Sequence, residues 1–289
     1  MNYIDRNGKV KIEETGQDRL LSWLYSHRTG RSILKFLVHP KVSKAGGWLL
    51  EQPWSRLLIM PFVKKNQIDM SCYQEQNYHS YNDFFVRKMK PGYRPLEGTK
   101  CTLVSPCDGK LSVYPIVPDG DKIRFCIKHT DYTVESLLRS EKLAKRYDGG
   151  WACVFRLSVD DYHRYCYIDD GDKSKNCRIP GVFHTVNPVA NDVLPIYKEN
   201  TREYSLLKSR HFKTVLMMEV GAMMVGRITN YHGEGPVKRG QEKGRFEFGG
   251  STVILLFQKG GVQIDERLIC NTQKGYETIV KMGERIGEA

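Results

Sequence analysis

The chain has 289 residues, 40% hydrophobic and 11% aromatic, enough to bury the core of one large domain or two modest ones, and this composition excludes a disordered chain. A net charge of +12 favours anionic partners such as nucleic acid, anionic lipid or acidic metabolites without choosing among them. The eight cysteines show no C-x-x-C pair and no Cys/His spacing of a zinc site, so no metal is expected and a reducing compartment is the simple reading.

The N-terminus, MNYIDRNGKVKIEETGQDRLL, lacks the apolar stretch of a signal peptide, and no run approaches the ~18 apolar residues of a membrane span. The expectation is a chain that starts inside the cell and does not cross the bilayer. Within the first eighty residues, three apolar clusters at mostly helical spacing predict three short helices: Leu20 to Tyr25, Ile33 to Val38, and Trp48 to Met60. Gly30, Pro40 and Gly46-Gly47 are read as their separators. Arg28, Arg31, Lys35, Lys41, Lys44, Arg56, Lys64 and Lys65 lie among them, a composition suited to a membrane interface. The same stripes would serve equally to pack on the protein's own core.

From about residue 100 the texture turns to short β-rich runs: LSVYPIV (Leu111 to Val117), KIRFCI (Lys122 to Ile127), WACVFRLSV (Trp151 to Val159), TVLMMEV (Thr214 to Val220) and STVILLF (Ser251 to Phe257). One helical stretch, Val134 to Tyr147, interrupts them. So few helices between strands argue against parallel βαβ units. The fold class is α+β, with N-terminal amphipathic helices followed by a mainly antiparallel β-rich core.

RFEFGGSTVILLF (Arg245 to Phe257) reads locally as a β-hairpin turning at Gly-Gly. A serine directly after Gly-Gly is also suited to an N-to-O acyl shift, because the preceding residue has no Cβ to hinder attack. The Ser251 hydroxyl would attack the Gly250 carbonyl carbon, turning the peptide into an ester. Elimination across Cα and Cβ of Ser251 would then release the Gly250 carboxylate and leave a dehydroalanine, which hydrolyses to a pyruvoyl group and ammonia. An alcohol needs a base, usually a histidine oriented by a carboxylate. Asp108, in the turn of VSPCDGKL, and His163, in DDYHRYCYIDD, are candidates, though no spacing rule joins them to Ser251.

Eight segments in order resemble the phosphatidylserine decarboxylase family: YNDFFVRKMKPGYRPL (Tyr81 to Leu96), VSPCDG (Val104 to Gly109), KHTDYTVESLL (Lys128 to Leu138), DDYHRY (Asp160 to Tyr165), GVFHTVNPVA (Gly181 to Ala190), NTRE (Asn200 to Glu203), VGAMMVGRI (Val220 to Ile228) and KGRFEFGGST (Lys243 to Thr252). The resemblance implies self-cleavage between Gly250 and Ser251, with Asp108 as the acidic residue. Family members often carry Tyr-His-Arg-x-His, and here Cys166 stands at the second histidine. His163 is therefore ranked first as the base and His184 second, a thiol being a poor general base.

The resemblance further implies a large (β) chain 1–250 and a small (α) chain 251–289 held together as a heterodimer, with a higher oligomer left open. The cofactor would be a covalent pyruvoyl group made from Ser251, with no pyridoxal phosphate and no metal. It would serve as electron sink in converting phosphatidylserine to phosphatidylethanolamine and carbon dioxide. Residues 1–80 would be a helical membrane-associating region and 81–289 the catalytic core, bound peripherally to the cytoplasmic side of the cell membrane, with no nucleic-acid partner. The rival readings are a Ser-His-Asp lipid or ester hydrolase that stays uncut and a non-enzymatic basic membrane-binding protein.

Overall fold

The computed structural model of the chain describes all residues except 1, 13–15, 121, 128, 129, 192, 224–226, 249 and 250, and leaves aside the side chains of 12, 16–18, 188, 189 and 251. The class is α+β, as the sequence predicts: helices first, then a large, mostly antiparallel sheet.

Residues 2–12 depart from the expected helical region. They form two strands, β1 (Asn2–Ile4) and β2 (Val10–Ile12), around a turn in which Asp5 Oδ1 accepts from the backbone N–H of Asn7 and Lys9, each at 2.9 Å. Three-residue strands are too short to register as periodicity. The helices follow: α1 (Gly16–Ser26), α2 (Arg28–Leu37), α3 (Pro40–Glu51), a 3-10 turn (Pro53–Leu58) and α4 (Ile59–Lys65). Pro40 opens α3 as expected, with His39 Nδ1 accepting from Lys41 N.

Gly30 and Gly46-Gly47, read as separators, lie inside α2 and α3. At Gly30 the reason is close packing. A Cβ there would sit 2.6 Å from the Trp23 carbonyl oxygen, so glycine lets α2 fold tightly against α1. The apolar residues of these helices divide between core and surface. Leu21, Leu24, Tyr25, Leu34 and Val38 enter the main core, while Trp23, Phe36, Trp48, Trp54, Leu57 and Met60 are exposed.

The main sheet, eleven-stranded among the described residues, is built around β3 (Gly109–Pro115), β4 (Trp151–Leu157), β6 (Arg202–Ser209), β7 (Thr214–Val220) and β10 (Ser251–Phe257). Their spatial order is β6-β7-β10-β4-β3, followed by β11 (Glu277–Val280), β1 and β2. Neighbours run antiparallel except β1, which lies parallel to β11 with Tyr3 opposite Glu277. Strand β10 occupies the middle, and Val253 to Phe257 are fully buried between the layers. A continuous apolar run is what a strand covered on both faces requires.

Two local readings are corrected. The stretch 134–147 is two helices, α6 (Val134–Leu138) and α7 (Glu141–Ala144), continued by a 3-10 turn, because Arg139 takes a left-handed φ of 51° and Ser140 caps the next helix through Leu143 N. The two strands flanking Gly249-Gly250 do not pair with each other as the hairpin reading requires, and those two turn residues lie outside the described residues. Strand β9 (Glu242–Glu247) pairs with β5 (Arg164–Cys166) and β8 (Arg227–Asn230) in a separate three-stranded sheet, whereas β10 pairs with β7 and β4. Pairing partners far along the chain override the local turn signal.

Candidate active site

Three pieces of chain converge where β10 begins. Ser251 opens the strand opposite Leu157, the last residue of β4. On the far side of β4, β3 starts with Gly109 at φ +155°, where a Cβ would lie 2.9 Å from the Arg156 carbonyl oxygen. Only glycine allows the Asp108-Gly109 backbone that approach. The third piece is the turn after β4, where Asp161 N donates to Ser158 O and the chain returns through His163. The structure therefore brings Asp108 and His163 to the strand end at which Ser251 lies, a link that spacing in the sequence does not contain. Gly250 and the Ser251 side chain fall outside the described residues.

Asp108 is 1% exposed, and its carboxylate accepts from Arg94 Nε (2.9 Å) and Nη2 (2.7 Å) and from Met282 N (2.8 Å), with Lys281 Nζ at 3.4 Å. Burial alone would lower the pKa of Arg94 and Lys281, but Asp108 outweighs it and holds both above their ordinary values. Among the described residues no hydrogen bond joins Asp108 to His163 or His184.

His163 is 1% exposed. Its Nδ1 lies 2.9 Å from the Asp161 carbonyl oxygen, and its Nε2 is buried with no hydrogen-bond partner among the described residues. Phe85, at the end of α5 (Tyr81–Phe85), packs on the imidazole with ring centroids 4.2 Å apart. Phe85 and Tyr81 also pack edge-on against Phe248, which stands two residues before Gly250. Phe248 itself has φ +23°, a strained value for a residue with a Cβ. Burial pushes the His163 imidazole down to about 4, with Arg87 and Lys110 acting in the same sense and Asp161 opposing. It is uncharged at neutral pH.

His184 lies on the other side of β10. Asn200 accepts from His184 N and donates to the carbonyls of His184 and Gly221, and Gly221 follows Val220, the partner of Thr252. Both ring nitrogens are engaged, Nδ1 with the Tyr25 hydroxyl at 3.1 Å and Nε2 with Glu199 at 3.3 Å. Burial lowers its pKa against the opposing pull of Glu199. Cys166 is buried, and burial pushes its thiol up to about 12, so it stays protonated and has no capacity as a base at neutral pH.

Four residues at the site were not singled out from the sequence: Arg94, Lys110, Asp161 and Lys281. The first three lie within or beside the quoted segments GYRPL, VSPCDG and DDYHRY. Lys281 carries no local signal at all. Its place beside Asp108 is set by the pairing of β11 with β3. Among the described residues no group of His, Cys, Asp and Glu is placed to hold a metal ion.

The phosphatidylserine decarboxylase family model matches residues 81–288. Over 281 residues the chain is 42% identical to phosphatidylserine decarboxylase proenzyme 2 of Clostridium acetobutylicum, covering 97% of this chain and 95% of that protein. The chain belongs to the phosphatidylserine decarboxylase family. Phosphatidylserine decarboxylase proenzymes of Desulfitobacterium hafniense and Clostridium perfringens are 38% and 37% identical to it, covering 99% and 97% of this chain and 98% of each relative. The family model begins at Tyr81, the first residue of α5, so the element that packs on His163 opens the matched region. The helices before it fall outside that model and inside the similarity to these decarboxylase proenzymes.

Proposed function

We propose that this protein decarboxylates phosphatidylserine to phosphatidylethanolamine and carbon dioxide after cutting itself between Gly250 and Ser251. Near-full-length identity to proteins named as proenzymes of that activity carries the substrate and the reaction class. The chain path supports the cut. Because β9 and β10 belong to different sheets, scission between residues 250 and 251 breaks no strand pairing among the described residues. The small chain 251–289 keeps β10 and β11 in the main sheet, bonded on both sides of β4 and β3.

In this reading Ser251 is the nucleophile and His163 the base that takes its proton at Nε2. His163 is preferred to His184 because its Nε2 is buried and free among the described residues, whereas both nitrogens of His184 are occupied. Asp108 acts through the groups it holds, drawing Arg94 and the Lys281-Met282 turn of the small chain onto the end of β3. Tyr81 and Phe85 pack edge-on against Phe248, two residues before Gly250, so the approach to the cut from the β9 side is aromatic. An uncharged, buried imidazole beside a strand that begins with serine suits a pyruvoyl group, which would supply the electron sink for loss of carbon dioxide from a substrate amine.

The exposed Trp23, Phe36, Trp48, Trp54, Leu57 and Met60, interspersed with exposed Arg28, Arg31, Lys35, Arg56 and Lys64, form the surface that meets the lipid. Docking is peripheral, on the cytoplasmic face. No helix among the described residues is long and apolar enough to cross a membrane.

Denaturing gels and intact mass decide the central point. Wild type resolves into two chains and releases carbon dioxide from phosphatidylserine vesicles, and Ser251→Ala remains one chain. A wild type that stays one chain and hydrolyses lipid esters would establish the hydrolase reading instead. His163→Ala is expected to block the cut and His184→Ala to permit it, and the opposite pattern reverses the ranking.

A further inference from the structure

We infer that Asp161, clasped by Lys110, is the positioning residue that fixes His163 in the tautomer with a bare Nε2. This rests on the reading of His163 as the base for scission at Ser251. A backbone carbonyl can only accept a hydrogen bond, so the 2.9 Å contact between His163 Nδ1 and the Asp161 oxygen puts the proton on Nδ1. A neutral imidazole carries one N–H, so Nε2 then presents its lone pair. That nitrogen is buried and unpartnered among the described residues, as a proton acceptor awaiting a hydroxyl would be.

The carbonyl does this only if its residue is held, and three hydrogen bonds to Ser158 and Lys110 hold Asp161 in place. Asp161 N donates to Ser158 O at 3.0 Å, Asp161 Oδ2 accepts from Ser158 N at 2.8 Å, and Lys110 Nζ donates to the same Oδ2 at 2.6 Å. Both side chains of the ion pair are at least nine-tenths buried. Burial resists the charge on Asp161, but Lys110 and then Lys281 outweigh it and keep the carboxylate ionised, so the clasp persists near neutral pH. Phe85 packs on the ring with centroids 4.2 Å apart, a contact that opposes its rotation. Asp108 does not perform this task. Its oxygens are taken by Arg94, Met282 and Lys281. Lys110, two residues after Asp108 and the second residue of β3, instead links the strand that follows Asp108 to His163 through Asp161.

The test uses the full-length Ser251→Ala protein, which cannot cut, labelled with nitrogen-15 histidine. His163 is assigned by the signals lost in Ser251→Ala/His163→Gln. Long-range proton–nitrogen correlation at pH 7.5 should show Nδ1 protonated and Nε2 bare. A proton on Nε2, or on both nitrogens, overturns the inference whether or not wild type cuts itself.

In the cutting background, Lys110→Met/Asp161→Asn removes the clasp without leaving a buried charge alone. Two chains should then appear at least tenfold more slowly than in wild type, and the same pair in the Ser251→Ala background should show both tautomers. A wild-type rate with a single tautomer refutes the positioning role. If this variant does not fold, as its thermal transition would show, the tautomer of the Ser251→Ala protein alone decides. Failure of wild type to cut, with Nδ1 still protonated, would sink the base reading and leave the tautomer assignment standing.

Discussion

Arg156 meets Glu277 edge to edge, Nε to Oε1 at 3.1 Å and Nη2 to Oε2 at 2.5 Å, with the guanidinium also lying 5.7 Å from the centre of the Tyr3 ring. The pair spans β4 and β11 across the intervening β3, and scission before Ser251 would make it a bond between two chains. Glu277→Gln leaves a buried guanidinium without its counter-charge and should lower stability by about 3 to 5 kcal/mol in urea unfolding. Arg156→Met/Glu277→Met should lose markedly less, since no charge is stranded. In cut protein, Glu277→Gln should also shed the 251–289 chain at lower urea than wild type does.

His163 gives the fold a defined pH response. Its folded pKa is depressed from 6.5 to about 4, so above pH 6.5 neither folded nor unfolded chain binds the proton and the stability is fully present. As the pH falls from 6.5 towards 4 the unfolded chain takes up a proton that the folded one refuses, and about 3 kcal/mol is lost. Urea titrations in that window should show a shallower loss for Ser251→Ala/His163→Gln than for Ser251→Ala. Parallel curves would place the acid sensitivity elsewhere.

Gly109→Ala tests the close approach of the Asp108 turn to β4. With φ at +155° and the Arg156 carbonyl 2.9 Å from the added methyl carbon, both backbone strain and overlap oppose the change. A loss of roughly 2 kcal/mol is expected from such combined effects. Displacement of Asp108 should also slow the appearance of two chains on gels. Slower cutting without lost stability would indicate that the turn yields while β3 holds.

The surface proposed to meet the membrane separates from folding because its residues are already solvent-exposed. Trp54 and Leu57 are 54% and 74% exposed, so Trp54→Ser/Leu57→Ser should change unfolding free energy by no more than about 0.5 kcal/mol. Sedimentation with phosphatidylserine vesicles should fall by about tenfold or more, given about 1.5 to 3 kcal/mol for each large apolar side chain removed from lipid. Added salt should weaken the remainder, since the basic residues around these two are exposed to screening. Unchanged sedimentation would move the docking surface elsewhere.

The sequence by itself determined the class of fold, most of the long strands and the family, because these are written in local runs. KIRFCI, TVLMMEV and STVILLF become strands at the residues their composition marks, and eight short segments in order carry the resemblance. It did not determine what those strands pair with. Gly249-Gly250 reads as a hairpin turn, yet β9 and β10 enter different sheets, because ladder hydrogen bonds and buried apolar area are settled by partners tens of residues away. The same physics hid the site. Asp108 and Lys281 are 173 positions apart in the chain and 3.4 Å apart in the fold, and only the pairing of β3 with β11 brings them together. The sequence also left His163 and His184 as alternatives by residue type. What distinguishes them is tertiary: one ring has both nitrogens occupied, and the other has Nδ1 fixed by the Asp161 carbonyl and Nε2 buried and free among the described residues.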